Sequence, residues 1–193
     1  MASVDDLERV EVTSRAQWRA WLASNHTRTE GIWLVLYKKH CADRHVRWPD
    51  AVKEALCFGW IDSRTRRVDD DRTMLLFSPR RPTSMWSSVN KRHVEQLEAA
   101  GLIEPPGQRL IDAARADGSW TFLDDVEALV VPKDLAARLA AAGVRAAWDG
   151  SRASDRKRAL YHVKTAKRAE TRAARIESIL ARLSAGAPPV QGG

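Results

Sequence analysis

The sequence is poor in cysteine, tyrosine and phenylalanine, and it contains no long apolar run. Its 193 residues include two cysteines, two tyrosines and three phenylalanines. No CxxC pair occurs, which argues against a disulfide framework and a structural zinc site. No stretch approaches the roughly 20 apolar residues that span a bilayer, and the polar, acidic start lacks the pattern of a secretory signal. We therefore expect a cytoplasmic protein with reduced cysteines and no membrane insertion.

The motifs of several common enzyme classes are also missing. The chain has no GxSxG nucleophile elbow, no HExxH zinc motif and no phosphate-binding P-loop. His40, Cys41 and His45 fall in a polar segment that is predicted to be a loop, which argues against a preformed metal centre. We therefore predict no metal and no cofactor. The sequence carries no signal for the oligomeric state.

Tryptophan and arginine, by contrast, are abundant. The chain has eight tryptophans, and an indole ring suits a hydrophobic core and a ligand pocket alike. The net charge is +7, and residues 152–182 carry all of it, with ten basic residues against three acidic ones. Such a segment indicates an acidic or phosphorylated partner, although a charge run is also typical of a solvated helix face.

Hydrophobic periodicity predicts strands early in the chain and helices late. Strands are predicted at 32–36, 60–66 and 73–77, the last two as a hairpin. Seven helices are predicted, the first over 15–24 and the last over 168–183. This order indicates an α+β fold with a small, mainly antiparallel N-terminal sheet, flanking helices and a mostly helical C-terminal half.

The length of the chain predicts one domain. We expect a flexible N-terminus over 1–12, a single α+β domain over 13–183 and a disordered tail over 184–193. Within the domain, 13–100 contains the sheet and 101–183 is helical. The tail is rich in glycine and proline, which supports its assignment as disordered.

The first candidate site is the segment from Cys57 to Ser63. A helix is predicted to end at Gly59, and a strand then begins with Trp60 and carries Asp62. A carboxylate beside a tryptophan can be partly desolvated, which favours general acid or base chemistry. The alternative is that Asp62 binds backbone N–H groups or pairs with a nearby arginine. Cys57 is expected to be buried and inert.

The second candidate site is a proline-stiffened basic loop that leads into a helix. Its candidate ligand-binding residues are Arg80, Arg81, Ser84, Trp86 and Asn90. A helix N-terminus with arginine and serine nearby can bind a phosphate or carboxylate. The alternative is a structural loop whose arginines pair with aspartates, with an ordinary serine N-cap at the start of the helix.

The third candidate is the last helix, which is predicted to be amphipathic and basic. Lys167, Arg172 and Arg175 are its candidate ligand-binding residues. Such a helix can contact nucleic acid, an anionic surface or the charged end of a ligand. The alternative is a solvated face with no ligand.

Six segments of the chain, taken in order, match one known pattern. They are residues 18–21, 31–34, 56–63, 84–90, 113–120 and 166–176. On these segments the chain resembles the YdeI/OmpD-associated family, also called bacteriocin-protection proteins, from about Thr13 to Leu183. The resemblance implies a bacterial, cytoplasmic protein with a link to tolerance of antibacterial peptides. It implies no mechanism, cofactor or active site.

The favoured hypothesis is a binding protein that holds an anionic small molecule or peptide in a cleft. Trp60 and Trp86 would form its flat walls, and the arginines and lysine named above would supply positive charge. Arg172 is expected to reach Asp62. The alternatives are non-specific nucleic-acid binding through the basic C-terminal helix and a hydrolase-type enzyme that uses Asp62 as acid or base.

Overall fold

A computed structural model of the chain describes residues 4–191. Its contacts divide the chain into two compact units, the first ending at Thr121 and the second beginning at Phe122. The sequence analysis predicts a single domain over 13–183, with a change to helical structure after residue 100. The boundary between the units comes later than that change, because the helix that follows residue 100 packs onto the first unit.

The first unit contains a four-stranded mixed sheet. Its strands are β1 (Arg9–Glu11), β2 (Ile32–Tyr37), β3 (Trp60–Arg67) and β4 (Arg72–Pro79). They are arranged in the order β1-β2-β4-β3, with β1 parallel to β2 and the other two pairs antiparallel. The hairpin prediction is confirmed as β3–β4. Together with the helices described next, this sheet confirms the predicted α+β fold.

The first strand lies in the segment that was expected to be flexible. Residues 9–11 pair with residues 33–35, and the Trp33 Nε1 donates a hydrogen bond of 2.7 Å to the Val4 carbonyl. Residues 4–12 of the expected flexible N-terminus therefore contain a paired strand, while residues 1–3 lie outside the described residues. A strand of three residues is too short for an alternating pattern to be recognised in the sequence.

Four α-helices lie between residues 4 and 121 of the described chain. They are α1 (Arg15–Asn25), α2 (Trp48–Cys57), α3 (Ser88–Ala99) and α4 (Pro105–Asp117). The hydroxyl groups of Ser14 and Ser87 cap α1 and α3 by accepting backbone hydrogen bonds from Gln17 and Asn90. The serine N-cap that was weighed for the basic loop is thus confirmed.

Both faces of the sheet are covered, which explains why β2 is a continuous apolar run. Ile32, Leu34 and Leu36 belong to the main core that also contains residues of all four helices. Trp33 and Val35 point to the other face and form a smaller cluster with side chains of β4 and the N-terminal segment. A strand buried on both sides has no polar positions, so it lacks the alternation of a half-exposed strand.

The start of α4 lies in close contact with the end of α2. A Cβ atom at Gly107 would lie 2.3 Å from the Cys57 carbonyl oxygen and 2.7 Å from that of Leu56, so only glycine fits there. The Glu104 N–H also donates to the Cys57 carbonyl, at 3.0 Å. These contacts attach α4 to the first unit.

A buried carboxylate connects α1 to α2. Glu54 is 3% exposed and accepts hydrogen bonds from Arg15 and, at 2.8 Å, from Arg19. Arg19 also pairs with Glu104 and donates to the Leu102 carbonyl at 3.1 Å. One ion-pair network therefore links two helices to the segment that leads into α4.

Within the described residues, the second unit contains helices and connecting segments but no strand. Its helices are α5 (Asp124–Glu127), α6 (Lys133–Ala141), α7 (Arg145–Gly150), α8 (Ala153–Lys164) and α9 (Ala169–Ser184). They enclose a separate core that includes Leu135, Trp148, Leu160, Ile176 and Leu180. The sequence analysis missed α5 and α7, because four and six residues are too few for a helical period to stand out.

The segment after α9 is packed rather than disordered up to Gln191. Val190 contacts the core of the second unit, and Arg158 donates to the Gln191 carbonyl at 3.1 Å. These contacts fall within residues 184–193, which were expected to form a disordered tail, and residues 192–193 lie outside the described residues. Pro188 and Pro189 restrict the backbone of this segment, which is compatible with an ordered conformation.

No helix among residues 4–191 is both long and apolar enough to cross a membrane.

The Glu54 network predicts that glutamate-to-glutamine substitutions at two positions differ in their effect on stability. Glu54→Gln should lower the free energy of unfolding by about 2–3 kcal/mol, because two arginines lose a buried anionic partner. Glu8→Gln removes an exposed pair with Arg28 and should cost less than about 1 kcal/mol. Denaturant unfolding followed by tryptophan fluorescence measures both, since seven of the eight tryptophans lie in the first unit. Equal effects would contradict this role of Glu54.

Candidate functional site

The ten residues predicted to bind a ligand belong to two different units. The first unit contains Trp60, Asp62, Arg80, Arg81, Ser84, Trp86 and Asn90. The second unit contains Lys167, Arg172 and Arg175. The burial and the partners of each side chain decide which of them a ligand can reach.

Trp60 and Trp86 are core residues and not the walls of a cleft. Trp60 is fully buried, donates to the His26 carbonyl at 3.3 Å, and packs edge-on against Trp21 with ring centroids 5.7 Å apart. Trp86 is 2% exposed and packs against Trp120 with centroids 4.9 Å apart. The prediction that these two rings form pocket walls is therefore wrong, because their large apolar area is used to fill the core.

Arg80 stabilises its own loop. Its guanidinium lies 3.7 Å from the centre of the Trp86 ring and donates to the carbonyl groups of Ser84 and Met85. Burial lowers the pKa of Arg80 to about 10, so the side chain is still a cation at neutral pH. Stacking on an indole and bonds to carbonyl oxygens compensate this charge. Its neighbour Arg81 is exposed.

Asp62 and Asn90 line a groove of about 290 Å³ in the first unit. The other residues that line it are Trp48, Pro49, Val52, Val89 and His93. The Trp48 Nε1 donates a hydrogen bond of 2.8 Å to Asp62, so the partner of this carboxylate is an indole N–H and not an arginine. Burial lowers the pKa of His93, which keeps the imidazole neutral at neutral pH. In the described chain neither lysine nor arginine is among the residues that line this groove.

Arg172 is fully engaged within the second unit. It forms a bidentate pair with Asp134, at 2.6 and 2.9 Å, and donates to the Val163 carbonyl at 3.0 Å. These hydrogen bonds from Arg172 lower the pKa of Asp134. The expected pair of Arg172 with Asp62 is therefore wrong, because a carboxylate on α6 of the same unit binds the guanidinium. Lys167 is exposed.

Arg175 lines a pocket formed by α8, α9 and the segment after α9, with a volume of about 350 Å³. We call it the arginine pocket, after its three arginines. Its lining residues are Arg158, Tyr161, His162, Arg175, Ser178, Ile179, Arg182, Pro189, Val190 and Gln191. The pocket thus combines three guanidinium groups with hydroxyl groups and an apolar wall.

Backbone carbonyl groups hold two of these arginines at the edge of the pocket. The Arg182 Nε donates to the Pro188 carbonyl at 2.8 Å, and the Arg158 Nη1 donates to the Gln191 carbonyl. Each of these bonds also attaches the segment after α9 to a helix. The arginines are therefore positioned by the same contacts that order the tail.

The third arginine, Arg175, is held by α8. It donates to the His162 carbonyl and, at 3.2 Å, to the Thr165 hydroxyl. Burial and the charge of Arg175 lower the pKa of His162, so this imidazole is neutral at neutral pH. Among residues 4–191, Asp155 is the one carboxylate that pairs with an arginine of this pocket, through Arg158. The arginine pocket is therefore electropositive.

Sequence reasoning selected Arg175 but missed the residues that accompany it. Arg158, Tyr161 and His162 are spaced i, i+3, i+4 on α8, and Arg175, Ile179 and Arg182 are spaced i, i+4, i+7 on α9. Both spacings place side chains on one helix face. The signal was present in each helix, but the sequence does not state which two faces meet.

Two family models match the chain. The model of a domain of unknown function, DUF8412, matches residues 10–110, which is more than half of the chain. The chain belongs to the DUF8412 family. A second model, described as "Bacteriocin-protection, YdeI or OmpD-Associated", matches residues 128–186, which include α6 to α9. No curated protein and no solved structure matches the chain.

The two matches limit the resemblance that the sequence suggested. The YdeI/OmpD-associated resemblance was expected from Thr13 to Leu183, and it is confirmed for residues 128–186. The segment 166–176 lies within that range. The other five segments, all before residue 121, lie outside it, and most of them fall within the DUF8412 match.

The environment of Arg80 predicts that arginine-to-lysine substitutions at two neighbouring positions differ in their effect on stability. Arg80→Lys should lower the free energy of unfolding by about 1–2 kcal/mol, because an ammonium cannot stack on Trp86 and bind both carbonyls as the planar guanidinium does. Arg81→Lys, at an exposed position, should change stability by less than about 0.5 kcal/mol. Chemical denaturation measures both. Unchanged stability in Arg80→Lys would reopen a role for this loop in anion binding.

Proposed function

We propose that the chain binds an anionic small molecule or peptide in the arginine pocket, and that this binding contributes to tolerance of antibacterial peptides. The observation that carries the proposal is that Arg158, Arg175 and Arg182 line one pocket. Among the described residues, one carboxylate, that of Asp155, pairs with one of them, Arg158. A cytoplasmic location is part of the proposal.

The three arginines retain donors for a ligand. A guanidinium has five N–H donors. Within the described chain, Arg182 uses only its Nε, and Arg175 uses only its Nη1. The remaining N–H groups suit the planar oxygens of a carboxylate or the oxygens of a phosphate. Because carbonyl bonds already restrict both side chains, an anion would lose less affinity to ordering them.

The remaining pocket residues fit a ligand of limited size. A volume of about 350 Å³ lies at the small end of the range of ligand sites. Tyr161, Ile179 and Val190 supply apolar contact, and Ser178 supplies a hydroxyl group. This combination suits an organic anion, or an acidic side chain of a peptide, better than a bare inorganic ion.

The match to bacteriocin-protection proteins supports the proposal because it covers the part of this pocket that α8 and α9 form. Residues 128–186 include Arg158, Arg175 and Arg182. The description of that family is the basis for the link to antibacterial-peptide tolerance. An intracellular anion-binding module would act in such tolerance through its ligand or through an acidic partner, rather than by direct contact with a membrane.

The two alternative functions have less support. For nucleic-acid binding, the basic C-terminal segment would need a continuous row of free cations, and the pairs of Arg172 with Asp134 and of Lys164 with Asp125 interrupt that row. For a hydrolase, Asp62 would have to act in its groove, where its carboxylate is already bound by Trp48. Neither arrangement provides the convergence of unpaired charge seen in the arginine pocket.

The proposal predicts that Arg175, which lies on α9, and Arg168, which precedes α9, differ in their effect on anion binding. Arg175→Gln should weaken the binding of inorganic phosphate or of a glutamate-containing dipeptide at least about tenfold, because a charged hydrogen-bond donor is lost. Arg168→Gln removes the same charge from an exposed position outside the pocket lining and should change affinity less than about twofold. Isothermal titration calorimetry of the full chain measures both.

Equal losses in the two variants would contradict the proposal, since they would indicate attraction by net charge alone. A parallel titration with a DNA duplex distinguishes the nucleic-acid alternative. If that duplex binds more tightly than phosphate, with steep salt dependence and equal sensitivity to both substitutions, non-specific nucleic-acid binding is the better explanation.

A further inference from the structure

A histidine, a cysteine and an aspartate of the first unit lie close together, and these residue types bind metal ions. They do not belong to any metal-binding sequence motif. His40 and Cys41 follow β2, and Asp71 precedes β4. One ligand atom from each lies within 4.8 Å of the other two. Bonds of about 2.0–2.3 Å to a tetrahedral ion place its ligands roughly 3.3–3.8 Å from one another. Small side-chain adjustments would therefore bring all three onto one ion.

Backbone hydrogen bonds hold the two loops that carry these residues against each other. The Lys38 N–H donates to the Asp71 carbonyl at 2.7 Å, directly between the loops. The Cys41 N–H then donates to the Lys38 carbonyl at 2.9 Å, which forms the turn that presents His40 and Cys41. The sequence predicts a loop here and no preformed metal centre, but these hydrogen bonds give the segment a defined backbone.

Side chains reinforce the same arrangement. The Lys38 ammonium donates to the carbonyl groups of Asp69 and Asp70, at 2.8 and 2.9 Å. The Asp69 carboxylate accepts from the backbone N–H groups of Asp71 and Arg72, at 3.0 and 2.7 Å. The backbone on both sides of the cluster is thus fixed before any ligand binds, which lowers the ordering cost of binding.

The donor set selects one class of ion. An imidazole nitrogen, a thiol sulfur and a carboxylate oxygen suit zinc and the neighbouring divalent transition metals, whereas magnesium and calcium require oxygen ligands. Three protein ligands leave a fourth tetrahedral position for water or another small ligand. We propose that His40, Cys41 and Asp71 bind one divalent transition-metal ion, with Zn²⁺ the favoured occupant.

The charges balance in the bound form. The Cys41 thiol releases one proton to solvent and the sulfur binds as a thiolate, which with the Asp71 carboxylate neutralises the two charges of the ion. His40 binds as a neutral imidazole, and its 2.9 Å contact with Asp71 is replaced by two bonds to the metal. His40 and Asp71 are both more than half exposed, so the ion has direct access from solvent.

Cobalt titration of the full-length, tag-free chain tests the proposal, because Co²⁺ reports both its geometry and a thiolate ligand by absorption. We expect one Co²⁺ per chain with a thiolate-to-cobalt charge-transfer band and tetrahedral d–d bands, and displacement by Zn²⁺. Cys41→Ser should abolish the charge-transfer band. His40→Gln and Asp71→Asn should each weaken binding at least about tenfold. The matched control, Asp70→Asn, changes the adjacent, 91% exposed aspartate and should bind as the wild type does.

The absence of a thiolate band in the wild type would overturn the proposal. So would a band that survives Cys41→Ser, since Cys57 would then be the source of the thiolate. Equal losses in Asp70→Asn and Asp71→Asn would indicate attraction by surface carboxylates only. Tryptophan fluorescence establishes that each variant is folded, and all four substitutions lie in surface loops. None of these residues lines the arginine pocket, so the result is independent of the anion-binding proposal.

Discussion

The carboxylate of Glu54 lies in the interior of the first unit with two arginines of α1 as its partners. A buried charge is costly unless it is paired, so this residue is tolerated only while α1 lies against α2. Arg19 extends the constraint, because it also binds Glu104 at the entry to α4. Once α2 is fixed in this way, Trp48 at its start and Asp62 on the strand that follows are brought within hydrogen-bonding distance. The Asp62 groove therefore depends on the position of α2, to which the ion-pair network contributes.

The regular structure was predictable because local patterns determine it. The strands β2, β3 and β4 and the long helices follow from runs of apolar residues, serine caps and glycine stops that a reader can find within about ten residues. The structure of the two terminal segments, by contrast, depends on distant contacts. Residues 9–11 form a strand only because β2 offers an edge, and the tail around Val190 is ordered only because a second core exists for it to contact. No local pattern distinguishes such segments from flexible ones.

The candidate sites were harder to predict, because arginine has the same appearance in a sequence whatever it binds. Arg80 stacks on a buried indole, Arg172 binds a carboxylate 38 residues away, and Arg175 lines a pocket. Burial and partner choice decide among these roles, and both are set by which helix faces meet. The tryptophans failed as predictors for a related reason: Trp60 and Trp86 stand beside polar candidates in the sequence, but their apolar area is better used in the core.

The two proposed sites prepare for a charged ligand in opposite ways. In the arginine pocket, carbonyl groups hold Arg175 and Arg182 near each other although their charges repel, so a bound anion would relieve that repulsion and stabilise the second unit. In the metal cluster, the ligand atoms already satisfy one another, since His40 is hydrogen bonded to Asp71. A metal ion must therefore replace an existing bond, and a third, softer ligand is needed to make the exchange favourable. Cys41 is the residue that supplies it, because a thiolate–zinc bond has no counterpart in the metal-free cluster. The His40–Asp71 pair alone would be an ordinary surface contact, and the thiol beside it is what makes this loop a candidate metal site.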